Sequence, residues 1–182
     1  MPEKASEDET LPEIKLTPVG VVRSGIKEPS LIAVSRDLKW RGKLEVSKKE
    51  RSRVSELVLN GDLTGMLDGI EEFSHLLVLY WPHLVPPERL VPVKVHPMGR
   101  KDFPLVGLFA TCSPIRPNSI LVTAVRLLER KENVLKVEGL DAVDGSPVID
   151  IKPYVPSYYA KDAVRESDWM MQIHRELADL SS

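Results

Sequence analysis

The chain has 182 residues, 20.4 kDa, a formal net charge of −2, a pI of about 6.1, 42% hydrophobic residues and a mean hydropathy of −0.15. That is the size of one domain with tails, and no apolar run reaches the roughly 20 residues that a membrane-spanning helix requires. Weak overall acidity excludes a protein that coats nucleic acid by bulk charge, and the single cysteine, Cys112, excludes an internal disulfide framework.

In chain order, residues 1–13 are acidic and non-periodic and read as a disordered tail. They lack the apolar stretch of a signal peptide, so the expected compartment is the cytoplasm. Residues 14–22 are rich in β-branched side chains around Pro18, as in an edge strand, and 23–30 form a loop. Short strands are expected at 31–34 and 42–46. Over 48–60, Val54, Leu57 and Val58 share one helical face behind a capping Ser47, which predicts a short helix. Gly61, Gly65 and Gly69 punctuate turns. The run FSHLLVLYW, 73–81, has the length and continuity of a central buried strand, ended by Pro82.

Pro86, Pro87 and Pro92 stiffen the connection to a modest strand at 91–95. A strand at 107–111 then leads into a polar loop, 112–119. A hairpin follows, 120–129 and 134–139, around the polar turn 130–133. Alternation at 148–151 puts Asp150 on the face opposite Ile149 and Ile151. Past Pro153 and Pro156, the spacing of Ala163, Trp169, Met170, Ile173 and Leu177 predicts a helix over 161–180. Many short strands with few helices between them favour a mainly β chain: one β-barrel domain over 14–156, with short helices and a C-terminal helical extension at 157–182.

Residues 39–53 hold seven cations (Lys39, Arg41, Lys43, Lys48, Lys49, Arg51, Arg53) against two acids, Glu45 and Glu50, a local balance of +5 that leaves −7 on the rest. Such a patch is either a solvated surface or a steering site for a phosphate backbone. Neither GxGxxG nor GxxxxGK[ST] occurs, so the common nucleotide cradles are unsupported. The four histidines, His75, His83, His96 and His174, have no HExxH or CxxC companions, and no metal is expected. His75 reads as structural, and His83, at a strand end, is better placed for a ligand.

The segments FATCSPIRPNS and GLDAVDGSPVIDIKPY, with PVGVVRS and GIEEFSHLLVLYWPH upstream, resemble the TsaA/TrmO (YaeB-like) family of S-adenosylmethionine-binding proteins over most of residues 16–154. The resemblance implies a β-barrel without a Rossmann unit and a homodimer. It also implies S-adenosyl-L-methionine as cofactor, and methylation of threonylcarbamoyl-adenosine beside the tRNA anticodon. A tRNA contact then falls to the basic patch at 39–53. Matched by motif, the cofactor contacts fall on Arg36, His83, Leu84, Cys112, Arg116, Pro117, Asn118, Val122, Glu138, Gly139, Leu140 and Asp141. The chain departs from the family pattern FATRSPxRPNPIG at Cys112, Ser119 and Leu121, in place of Arg, Pro and Gly. Alternatives that keep the cofactor are a protein or small-molecule acceptor, or a non-catalytic sensor.

Methyl transfer draws most of its catalysis from positioning, and the attacking nitrogen needs a base. Asp144, Asp150 and Tyr154 are the nearby candidates. Asp144 stands in a DG pair that also makes a tight turn, so Asp150 and Tyr154 are taken as the catalytic residues, and Asp141 as a partner of cofactor hydroxyls or amine.

Overall fold

The computed structural model describes residues 12–34, 37–41, 52–86, 90–160 and 162–179. Among the described residues ten strands follow in chain order: β1 (Gly20–Arg23), β2 (Leu31–Val34), β3 (Asp37–Trp40), β4 (Val54–Leu59), β5 (His75–Tyr80), β6 (Lys94–Val95), β7 (Val106–Gly107), β8 (Leu121–Lys131), β9 (Val134–Glu138) and β10 (Pro147–Pro153). Six of them close an antiparallel barrel in the order β1-β10-β5-β8-β9-β4, while β2-β3 and β6-β7 form separate two-stranded ribbons. The mainly β expectation holds.

Residues 54–59 are a strand and not the expected helix. The positions that suit a helical face also fit a period of two: Ser55, Leu57 and Leu59 are buried, and Val54 and Glu56 are exposed. Pairing decides, because β4 bonds β1 on one side and β9 on the other, and so closes the barrel. The part of the expected helix at 48–51, the strand at 42–46, Arg36 and the residues 1–11 of the tail lie outside the described residues. The first strand begins only at Gly20, where a side chain would press within 2.5 Å of Val58 O on β4, a close approach that glycine permits. The strand expected at 107–111 is only Val106–Gly107, followed by a 3-10 turn at Leu108–Ala110. The C-terminal helix, α1, spans Asp168–Asp179, shorter than the expected span.

The barrel interior holds Val22, Leu57, Leu76, Val78, Val125, Leu135, Val137, Leu140 and Val148, each at most 1% exposed. Burial of each such side chain contributes about 1.5–3 kcal/mol. A second, smaller core, Leu38, Val95, Leu108 and Ile115, joins both ribbons to the 112–119 loop. Helix α1 docks beside it. Ile173 is buried, Trp169 meets Phe103 with ring centroids 6.3 Å apart, and Arg100 lies 4.1 Å over the Phe103 ring while its Nη2 donates to Glu176 Oε1 at 3.0 Å.

Candidate functional site

Strand register fixes which residues share each end of the barrel. Tyr80, the last residue of β5, is opposite Leu121 at the start of β8 and Val148 at the start of β10. The segment 139–146 crosses this upper rim from β9 to β10. It is tied by backbone bonds from Gly139 N to Arg53 O, Asp144 N to Ile26 O and Gly145 N to Val22 O. Three stretches distant in sequence therefore converge there: 82–85 after β5, 112–119 before β8, and 139–146.

The rim is wired by polar groups. Asp141 Oδ1 accepts from the Tyr80 hydroxyl at 2.8 Å and from Thr123 Oγ1 at 2.6 Å. Burial, and then the Asp141 carboxylate, keep Tyr80 protonated well above the usual phenol range, so it serves as a fixed donor. His83 Nδ1 lies 3.3 Å from Ser146 Oγ, and the two line a shallow recess with Pro29, Pro82, Leu84 and Pro114. Asp144 is engaged elsewhere. Its Oδ2 accepts from Lys27 Nζ and its Oδ1 from Ser24 N, and these bonds hold its carboxyl below the usual range.

The 112–119 loop is braced from within. The Arg116 guanidinium donates to Thr111 O at 3.1 Å and to Ser113 O at 3.4 Å, and sits 5.9 Å from the centre of the Phe109 ring. Ser119, buried, donates to Arg116 O. Pro117, Asn118 and Cys112 are exposed on the same loop. Val122 faces outward from β8 and is 56% exposed. Glu138 lies beside Arg126 at 3.9 Å. Leu140 is wholly inside the barrel core, so this position offers the rim only backbone.

The two residues taken as catalytic lie apart from this group. Asp150 pairs with Leu79 on the outer face of the sheet and is ion-paired to Lys152 at 2.6 Å. Tyr154 N bonds His75 O at the far end of β5, and its ring stacks on Tyr159 at 4.8 Å. The length of β5, five steps or about 17 Å, separates Tyr154 from Tyr80. Tyr80, Thr123, Ser24 and Ser146 went unnoticed in the sequence. Tyr80 and Thr123 sit in apolar alternation with no motif, and only the crossing of 139–146 gives them a role.

Residues 45–160 match the family described as tRNA-methyltransferase O N-terminal domain. A protein of Methanothermobacter thermautotrophicus named "Probable S-adenosyl-L-methionine-binding protein" is 44% identical over 142 residues, covering 78% of this chain and 90% of that protein. The mouse tRNA (adenine(37)-N6)-methyltransferase is 38% identical over 96 residues, 50% of this chain and 21% of that one. The crystal structure of TrmO from Pseudomonas aeruginosa superposes with a TM-score of 0.60 at 28% identity, covering 84% of this chain. This chain spans 61% of the length of that structure's chain. By fold, by sequence and by the span of the match, the chain belongs to the TrmO family of tRNA-methyltransferase-like β-barrel proteins.

Proposed function

We propose that the chain binds S-adenosyl-L-methionine at the upper rim and methylates N6 of an adenosine in tRNA, with threonylcarbamoyl-adenosine beside the anticodon as the acceptor. The observation that carries this reading is that residues 82–85, Pro114, Val143 and Ser146, from three stretches distant in sequence, line one recess, all within the span that matches the family. The donor set fits the cofactor. Proline-walled apolar surface around His83 suits a flat base, and the Asp141 carboxylate, aimed by Tyr80 and Thr123, suits ribose hydroxyls or an ammonium. Cys112 offers no guanidinium for a carboxylate, which leaves that part of the ligand to other groups. When bound, the cofactor supplies an electrophilic methyl group. The chain's own share is to hold the two reactants in line, keep the rim hydrogen bonds fixed, and take up a proton from the nitrogen.

Two further parts belong to this reading. Of the basic patch, Lys39 and Arg41 are exposed on and after β3 and serve as phosphate contacts. The outer face of β5 and β8, with Leu77, Leu79, Val122 and Ala124, is apolar where a lone barrel would be polar, and pairs with a second copy. No helix among the described residues is long and apolar enough to cross a membrane. Purified protein incubated with donor and with tRNA carrying the threonylcarbamoyl group should yield an N6-methylated nucleoside by mass spectrometry. Donor binding without any methylated nucleoside would favour a sensor and overturn the enzyme.

A further inference from the structure

The loop that walls the recess also holds an aromatic ring in solvent. Phe109 is 77% exposed, although burial is where such a side chain gains most, and the fold keeps it there. It is the middle residue of the 3-10 turn Leu108–Ala110. Leu108 anchors the turn in the smaller core, and Thr111 closes it by donating to Leu108 O from its N at 3.1 Å and from its Oγ1 at 2.8 Å. Ser113 N then donates to Thr111 Oγ1 at 3.3 Å, and Ile115 N donates to Ser113 Oγ at 3.2 Å. The ring stands on a braced backbone, so a ligand meets it with little ordering left to do.

A cation lies beside the ring. The Arg116 Cζ is 5.9 Å from the ring centre, within cation–π range, and the guanidinium is aimed by its bonds to Thr111 O and Ser113 O. The Ser113 carbonyl belongs to the peptide bond into Pro114, and Pro114 lines the recess with His83 and Ser146. Ring and recess are therefore joined within residues 109–116 by a ring contact, a hydrogen bond and a peptide bond.

An exposed ring suits either an apolar protein surface or a flat base, and charge decides between them. Residues 91–119 carry Lys94, Arg100, Lys101 and Arg116 against one acid, Asp102, a balance of +3 in a chain of −2. The 97–99 turn of this segment is pressed onto β3, because a side chain at Gly99 would come within 2.2 Å of Leu38 O, so Lys39 and Arg41 are fixed against the same segment. Part of the charge is spent inside the fold. Arg100 donates to Asp102 and Glu176, and Lys101 contacts Asp37, whose Oδ2 also lies 2.8 Å from His96 Nδ1. Burial works against ionisation of Asp37, but its hydrogen bonds from Lys101 and His96 outweigh that and hold it well below the usual carboxylate range. Lys39, Arg41 and Lys94 stay exposed. A second copy would bring the same positive charge to this surface, whereas a phosphodiester strand brings the opposite one.

We propose that Phe109 and Arg116 form a stacking platform for an unpaired base of the tRNA loop that carries the acceptor, holding that strand beside the recess; this rests on the methyltransferase reading above. An aromatic face takes any base, so the platform contributes affinity and alignment and leaves base identity to hydrogen bonds at the rim.

The test is binding of tRNA bearing the threonylcarbamoyl group, by fluorescence anisotropy with S-adenosylhomocysteine present, to wild type and to Phe109→Ala, Phe109→Leu and Phe109→Trp. Loss of one base stack corresponds to about 10-fold in affinity. Phe109→Ala and Phe109→Leu should both lose about that factor, since leucine keeps apolar bulk without the flat face, and Phe109→Trp should bind within about twofold of wild type. Melting temperature and the calorimetric affinity for S-adenosylmethionine should hold in all three. The salt dependence of Phe109→Ala should keep the wild-type slope, because stacking releases no counterions. Abasic tRNAs, altered at one loop position at a time, should identify the stacked base as the position where Phe109→Ala costs no further affinity. Phe109→Ala or Phe109→Leu binding tRNA within about twofold of wild type overturns the platform while the enzyme reading stands, and so does a loss confined to the donor. A wild type that binds tRNA but transfers no methyl group overturns the enzyme reading alone, and one that binds no tRNA overturns both.

Discussion

The two rims of the barrel are built from the same strands but differ in what their polar groups do. At the lower rim, Arg130 donates to Leu67 O, Thr64 O, Asp68 and Glu71, and Asn133 bonds Leu59 O, so both side chains end on the chain's own backbone or on a neighbouring acid. At the upper rim, the Asp141 carboxylate is exposed although two hydroxyls aim it, and His83 stands at a recess with one weak partner. Groups that are fixed yet still face solvent are arranged for something other than the fold, whereas the lower rim closes the barrel.

Removing Asp141 should separate the rims most clearly. Charge-assisted hydrogen bonds are worth about 1.5–3 kcal/mol, so Asp141→Ala should weaken S-adenosylmethionine binding by roughly 10- to 100-fold in calorimetry with the circular dichroism spectrum unchanged. Tyr80→Phe takes away one of the two donors that aim this carboxylate. A neutral hydrogen bond contributes about 1 kcal/mol, so donor affinity should fall about fivefold. Arg130→Ala should do the converse: a melting temperature lower by a few degrees in calorimetric scans, and unchanged donor affinity. If Arg130→Ala weakened binding as much as Asp141→Ala, the distinction between the rims would fail.

The smallest effect concerns acid. The Asp37 carboxyl is depressed in the folded chain, so its stabilisation is complete above the unfolded carboxylate range and is lost as pH falls below about 4. Asp37→Asn should flatten the fall in melting temperature over that window and leave neutral pH stability changed only by the altered hydrogen bonds.

Most of the barrel was legible because β5, β8 and β9 are runs of apolar or alternating residues bounded by turns, and their period needs no partner to be seen. Residues 54–59 were not, since Val54, Leu57 and Val58 satisfy a helical face as well as a strand, and only the neighbours β1 and β9 decide. The loop residues of the site could be matched by motif, and the fold does gather His83, 112–119 and 139–141 at one rim. Asp37 and His96 lie 59 positions apart with no motif between them, so their pairing exists only once the 97–99 turn is folded onto β3. Tyr154 is the converse case. It follows Asp150 closely in sequence, but the strand between them carries it to the other end of the barrel from Tyr80.

Hydrogen exchange with and without S-adenosylmethionine tests the central claim most directly, because it reports on both rims in one experiment. Slowed exchange is expected at 82–85, 112–119 and 139–146, with residues 61–72 at the lower rim unchanged. Protection confined to the lower rim, or none at all at saturating donor, would contradict it.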